Sequence, residues 1–341
     1  MRAAFALPLA IFGALAGATT AVGEDFYLGK TIKIISGGTA GGEFDSHARL
    51  LASYIVRHIP GNPTIVVENV PAASGLAAAN YVFNVAKKDG TEIGGFTSNS
   101  VVMPMLGDPA AKFAPDKFNW IGTPGSYRDN AYLVFVRAAL PYKNFEDLRR
   151  LASPAIFGDK GQAMFLPLVK DVLGAHIKIV EGYQGAEVNL ALQRGEIEGM
   201  AVAYNNLKRV TADWLPSGFI RVVAQFAHDY RIPEFPDIPT GRELVHSSDD
   251  LALVKFCELS LTLGYPFAAP PGVAADKIAI LRAAFDATMV DPDYQQAMAK
   301  AMLEYSPKNG TDLAAIVVEG TRVSPAVIAR YKALAASMGG G

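Results

Sequence analysis

The chain has 341 residues, half of them hydrophobic and 19% charged, with 31 basic against 33 acidic side chains and a formal net charge of −2. Such a length and apolar content bury a large core and suggest about two domains. With neither a basic block nor an acidic tail, the composition argues against nucleic acid or an anionic membrane surface as the main partner.

The N-terminus, MRAAFALPLAIFGALAGATTAVG, reads as a cleaved secretory signal over residues 1–23. It carries one positive charge at Arg2, an apolar stretch from Ala3 to Ala18, and small residues that allow cleavage after Ala18, Ala21 or Gly23. A retained anchor is the alternative, but the run is shorter than the roughly 20 residues a span needs and is broken by Pro8. No second run of spanning length follows, so the mature protein is expected outside the cytoplasm and not embedded in a membrane. The single Cys257 excludes an internal disulfide and reads as a small core hydrophobe within LALVKFCELSLTL.

Beyond the signal, short apolar runs alternate with amphipathic stretches. Strands are expected at 31–35, 64–68, 92–96, 120–122, 131–136, 155–157, 177–180, 199–202 and 220–224. Helices are expected at 45–59, 75–85, 145–151, 165–173, 187–194 and 273–290, and three more close the chain at 292–302, 311–319 and 324–338. That alternation implies an α/β fold with a mainly parallel sheet. Asp45, Asn144 and Thr311 stand where helix N-caps belong, and Gly61 and Gly174 follow helices where a left-handed residue is wanted. The turn-rich passages PGSYRDN, from 124, and YRIPEFPDIPTGREL, from 230, hold the expected domain crossings.

The first expected strand runs through SGGTAGGEF, residues 36–44, into a helix. A strand passing through glycines into a helix N-terminus presents unpaired N–H groups and the positive end of the helix dipole, a geometry suited to an anion. Gly37 and Gly42 have the spacing of a nucleotide P-loop, but Glu43 stands where its lysine should be; the dinucleotide pattern Gly-x-Gly-x-x-Gly is also missing. A small organic acid held by backbone amides, or a plain tight turn, remains.

The segments IKIISGGTAGGEFDSHARLLASYI, NPTIVVENVPAASGLAAANYVFNVAKKDGTEIGGFTSN, GYQGAEVNLALQRGEIEGMAV, PEFPDIPTGREL and LRAAFDATMVDPDYQQAMAKAML follow one another along nearly the whole mature chain. Together they resemble the extracytoplasmic solute receptors of tripartite tricarboxylate transporters, the Bug family. The resemblance implies a bilobed type II periplasmic-binding-protein fold, with residues 25–125 and 248–341 in one lobe and 126–247 in the other. It further implies a monomeric periplasmic receptor without cofactor or catalysis. Such a receptor captures a small carboxylate ligand and delivers it to the membrane permease subunits of a tripartite transporter.

Carried onto this chain, the resemblance makes Gly37, Gly38, Thr39, Ala40, Gly41, Gly42, Glu43 and Phe44 the first amide cradle. Asp45, opening Asp-Ser-His-Ala-Arg49, shapes that loop. Thr97, Ser98 and Asn99 face the cleft from a later loop of the same lobe. Asp159, Lys160, Gly161 and Gln162 form a second cradle, and Tyr183, Gln184 and Gly185 line the same cleft. The chain departs from the family pattern where typical members read Gly-Gly-Gly-Ser-Asp and this one has Gly41-Gly42-Glu43-Phe44-Asp45. An inward carboxylate would repel an acid, so Glu43 either faces solvent or meets a cationic or hydroxyl group of the ligand. Phe44 either walls the pocket or packs in the core.

The five histidines show no metal-ligand spacing, and no Gly-x-Ser-x-Gly elbow occurs. Two rival readings stay open: a receptor feeding a sensor kinase, and a secreted α/β enzyme, for which no catalytic constellation is visible.

Overall fold

The structure is a computed structural model that describes residues 26–126, 131–159, 164–183 and 186–337. The expected signal segment, together with Lys160, Gly161, Gln162, Gln184 and Gly185, lies outside the described residues.

Strands β1 (Thr31–Ser36), β2 (Thr64–Asn69), β3 (Glu92–Gly95) and β4 (Asn119–Thr123) open the chain. Then come β5 (Tyr132–Arg137), β6 (Ala155–Gly158), β7 (Ile177–Val180), β8 (Gly199–Ala203) and β9 (Ile220–Phe226), and finally the short β10 (Phe267–Ala269) and β11 (Lys308–Asn309). They form two sheets, one in the order β11-β4-β10-β3-β1-β2 and the other β7-β6-β8-β5-β9. Each sheet with its helices makes one lobe.

The helices are α1 (Glu43–Ile55), α2 (Leu76–Asn84), α3 (Ser98–Val102), α4 (Phe145–Arg149), α5 (Phe165–Asp171), α6 (Glu187–Arg194) and α7 (Tyr204–Val210). They continue with α8 (Ser248–Leu263), α9 (Ala275–Met289), α10 (Pro292–Lys300), α11 (Gly310–Thr321) and α12 (Pro325–Ala336).

The expectation of mainly parallel sheets needs correction. β1 pairs in parallel with β2 and β3, and β6 with β7 and β8. β10 and β11 enter antiparallel against β3 and β4, and β5 lies antiparallel between β8 and β9. Strands β10 and β11 arrive after the chain has returned from the second lobe, so no right-handed βαβ crossover sets their direction.

Alternation along β5 shows why the second sheet is buried on both faces. Val134 and Val136 join the core shared with Phe157, Phe165 and α8, while Leu133 and Phe135 face a separate core with Leu192 and Trp214. In the first lobe, Ile32 and Ile34 pack with Leu51 of α1 and Phe285 of α9, and Ile35 joins Phe96 and Trp120 on the other side. Cys257 is buried on α8 within the shared core, where burial pushes its thiol pKa up. Among the described residues no helix is long and apolar enough to cross a membrane.

Two expected caps are also corrected. Helix α1 begins two residues earlier than expected, with Gly42 as its N-cap and Asp45 inside the first turn. Helix α11 is capped by Asn309, whose side chain accepts from the amides of Thr311 and Asp312.

Candidate functional site

Ser36 ends β1, and the loop 37–42 carries the chain to α1. The Gly37 amide donates to the Gly95 carbonyl at 2.8 Å, extending the β1–β3 ladder, and the Gly38 amide donates to Ser36 Oγ at 3.3 Å. The Gly41 amide donates to Asp45 Oδ2 at 2.8 Å and that of Gly42 to the Thr39 carbonyl at 3.0 Å. The glycine amides of the expected cradle are therefore all taken up by partners within the protein. The amides of Thr39, Ala40, Glu43 and Phe44 have no partner among the described residues and are the donors open to an anion. Glycine is required at Gly38, where a Cβ would lie 2.7 Å from that of Phe44, and at Gly41, whose φ is +76°.

Asp45 is the loop's internal anchor. Besides the Gly41 amide it accepts Arg49 Nε at 2.9 Å and Asn69 Nδ2 at 2.8 Å, and Asn69 Nδ2 also donates to the Gly38 carbonyl at 3.0 Å. Burial alone would raise the Asp45 carboxyl, but the hydrogen bonds from Arg49, Asn69 and the Gly41 amide outweigh it and hold its pKa below the usual carboxylate range. Asn69 reaches the loop because the parallel register sets it beside Ser36.

Tyr265 closes the other side. Gly264, at φ +60°, sits so near the Gly125 carbonyl that a Cβ would come within 1.8 Å of its oxygen. Only glycine lets the chain turn there, and the Tyr265 amide then donates to Thr123 Oγ1 at 3.0 Å. The ring stacks on His47 at 3.6 Å between centroids and leans against Phe44 at 5.1 Å. So held, Tyr265 donates its hydroxyl to Glu43 Oε1 at 2.5 Å. His47 is fully buried, both ring nitrogens lack a partner among the described residues, and burial pushes its pKa down to about 3.

The end of the loop, the start of α1 and Tyr265 face a cleft of about 1450 Å³ between the lobes. Gly41, Glu43, Phe44, Asn99 and Tyr265 line it from the first lobe. Tyr132, Phe165, Asn205, Asn206, Lys208 and Arg209 line it from the second. Glu43 is exposed on this wall, with its carboxylate turned to Tyr265, and Phe44 is half-buried as part of the wall.

Thr97 is occupied as the cap of α3: its Oγ1 accepts the Ser100 amide at 3.2 Å and donates to the Ser74 carbonyl at 2.9 Å. Ser98 is half-buried beside it, and Asn99 alone of the three is exposed on the cleft. Asp159 is buried, its amide bound to the Val180 carbonyl at 2.9 Å, and Tyr183 packs against the core around Val188 and Ile197. Neither lines the described part of the cleft.

Sequence reasoning missed Tyr265, Asn69 and the whole α7 wall. For α7 a signal existed, because β8 passes straight into α7 at Ala203 and Tyr204 much as β1 passes into α1. A second cavity of about 570 Å³ lies among Ala227, Arg242, Phe256, Leu259 and Lys308, but Arg242 is bound there to Glu258 at 2.7 Å. No residue of the glycine loop reaches it.

Two α/β lobes with a cleft between them define the architecture of a bilobed binding protein. No family profile matches the chain. It is 25% identical over 346 residues to the "UPF0065 protein in gbd 5'region" of Cupriavidus necator, covering 96% of this chain and 95% of that one. Among solved structures, a TctC solute-binding protein from Polaromonas superposes with a TM-score of 0.69 at 22% identity, covering 90% of this chain and 98% of the other. MatC from Rhodopseudomonas palustris, solved with bound malate, gives 0.51 at 20% identity, with 90% and 99% covered. The fold is thus that of the bilobed solute-binding proteins, and these likenesses agree with the resemblance to tripartite tricarboxylate receptors read from the sequence.

Proposed function

We propose that this chain is a periplasmic solute receptor that captures a small organic acid between its lobes and delivers it to the membrane permease subunits of a tripartite transporter. It acts as a monomer, with residues 25–125 and 248–341 as one lobe and 126–247 as the other, and does no bond chemistry. The observation that carries this reading is the pair of open amides at Glu43 and Phe44, at the N-terminus of α1 on the cleft wall, with those of Thr39 and Ala40 open on the same loop. Backbone donors held by their own loop need no reorganisation to meet a carboxylate. A structural relative that holds malate supports the ligand class. A cleft of about 1450 Å³ exceeds the roughly 300–1,000 Å³ of a filled ligand site, which suits an open state that closes on its ligand.

Thermal unfolding of the protein lacking residues 1–23, against a panel of mono-, di- and tricarboxylates, aromatic acids and amino acids, tests the reading. An acid at about 100 times its dissociation constant adds about 2.7 kcal/mol and raises the midpoint by several degrees. A panel without any shift refutes it.

A further inference from the structure

We infer that Glu43 makes the cleft selective for an acid that also carries an ammonium group, an amino-acid-like zwitterion, over plain mono-, di- or tricarboxylates. The inference rests on the receptor reading above and names the ligand class of that same cleft.

Glu43 is exposed on the cleft wall at the first position of α1. One carboxylate oxygen accepts the Tyr265 hydroxyl, and the other has no partner among the described residues. No cation among the described residues pairs with it. Its aim is fixed from behind, because Tyr265 is pinned by its own amide to Thr123 and by ring contacts with the buried His47 and with Phe44. A carboxylate is thereby held next to the open amide of Phe44 and three to four residues along the loop from those of Ala40 and Thr39.

A ligand that uses those amides with a carboxylate sets its neighbouring substituent beside Glu43. If that substituent is a second carboxylate, like charges face one another; if it is an ammonium, it makes a charge-assisted hydrogen bond. The opposite wall carries the exposed side chains of Lys208 and Arg209 on α7. The cleft is therefore acidic on its first wall, at Glu43 and at Glu304, which is engaged by Asn205, and basic along its second, an arrangement suited to a dipolar ligand. Phe44, Tyr132, Phe165 and Tyr265 add apolar surface for that ligand's side chain.

Calorimetric titration with matched pairs that differ only in the α-ammonium decides the matter. The pairs are alanine and propanoate, leucine and 4-methylpentanoate, phenylalanine and 3-phenylpropanoate, aspartate and succinate, and glutamate and glutarate. Wild type should bind the amino member of at least one pair about tenfold or more tighter than its partner, and Glu43→Gln should abolish that preference. Equal or tighter binding of the deaminated member, or a preference that survives in Glu43→Gln, overturns the inference and leaves the receptor reading standing. Silence with all ten compounds overturns the inference, and the receptor reading falls with it only if the wider panel of mono-, di- and tricarboxylates and aromatic acids is silent as well.

Discussion

Arg242 Nε donates to Glu258 Oε2 at 2.7 Å, and the other oxygen of that carboxylate accepts the Ala227 amide at 2.9 Å. Glu258 is wholly buried on α8, while Ala227 follows β9 at a left-handed φ of +94°. One carboxylate thus ties the segment leaving the second sheet to the helix that leads back to the first. Burial raises the Glu258 pKa despite Arg242 and the Ala227 amide, so the charge depends on its partners. Arg242→Met leaves it unpaired and should lower stability by about 3–5 kcal/mol in urea unfolding. Adding Glu258→Gln, which keeps an acceptor for the Ala227 amide, should recover much of that loss; a single variant as stable as wild type would show the pair to be dispensable.

His47 predicts a pH dependence of stability. Its folded pKa of about 3 lies below the ordinary 6.5, so the folded chain keeps it neutral where the unfolded chain takes up a proton. The stabilisation is complete above pH 6.5 and falls as the pH drops toward the folded value, by about 2 kcal/mol at pH 5. His47→Leu should remove that slope, read as the difference between the two proteins in urea midpoints from pH 7 to pH 5. Parallel profiles would mean that the imidazole is hydrated or paired in solution.

Gly42→Asp tests the loop itself. A Cβ there would stand 3.0 Å from Thr39 Oγ1 and 3.1 Å from the Thr39 carbonyl oxygen, and the new carboxylate would lie at the mouth of the open amides. Affinity for the bound acid should fall about tenfold or more while the far-ultraviolet circular dichroism stays that of wild type. Undiminished affinity would place the acid elsewhere.

Asp45→Ala removes the acceptor shared by the Gly41 amide, Arg49 and Asn69. The expected loss is about 1–3 kcal/mol at pH 7, measured as a shift in urea midpoint. Because the folded Asp45 pKa is lowered, its contribution is present above the ordinary carboxylate pKa and disappears as the pH falls through the folded value. The gap between the two proteins should therefore close in acid.

Strands β1 to β9 were legible because nearly all are short β-branched or apolar runs bounded by turn residues, as in TIKII and TIVVE. Helix α8 was not. Its sequence is apolar on nearly every side, and its polar Glu258 is buried, so no helical period stands out. The site was half legible for a similar reason. Local chemistry marks SGGTAGGEF as a strand-to-helix joint, whereas Tyr265 reaches Glu43 across 222 residues of chain. Asn69 is set by sheet register, and Asp45 lost its expected capping role because the helix extends back to Glu43.

Capture between the lobes is tested most directly by small-angle scattering from the protein without and with a saturating amount of the acid that raises its unfolding temperature most. The account predicts that the radius of gyration falls as the cleft closes on the acid. A radius unchanged while calorimetry shows the site filled would contradict it.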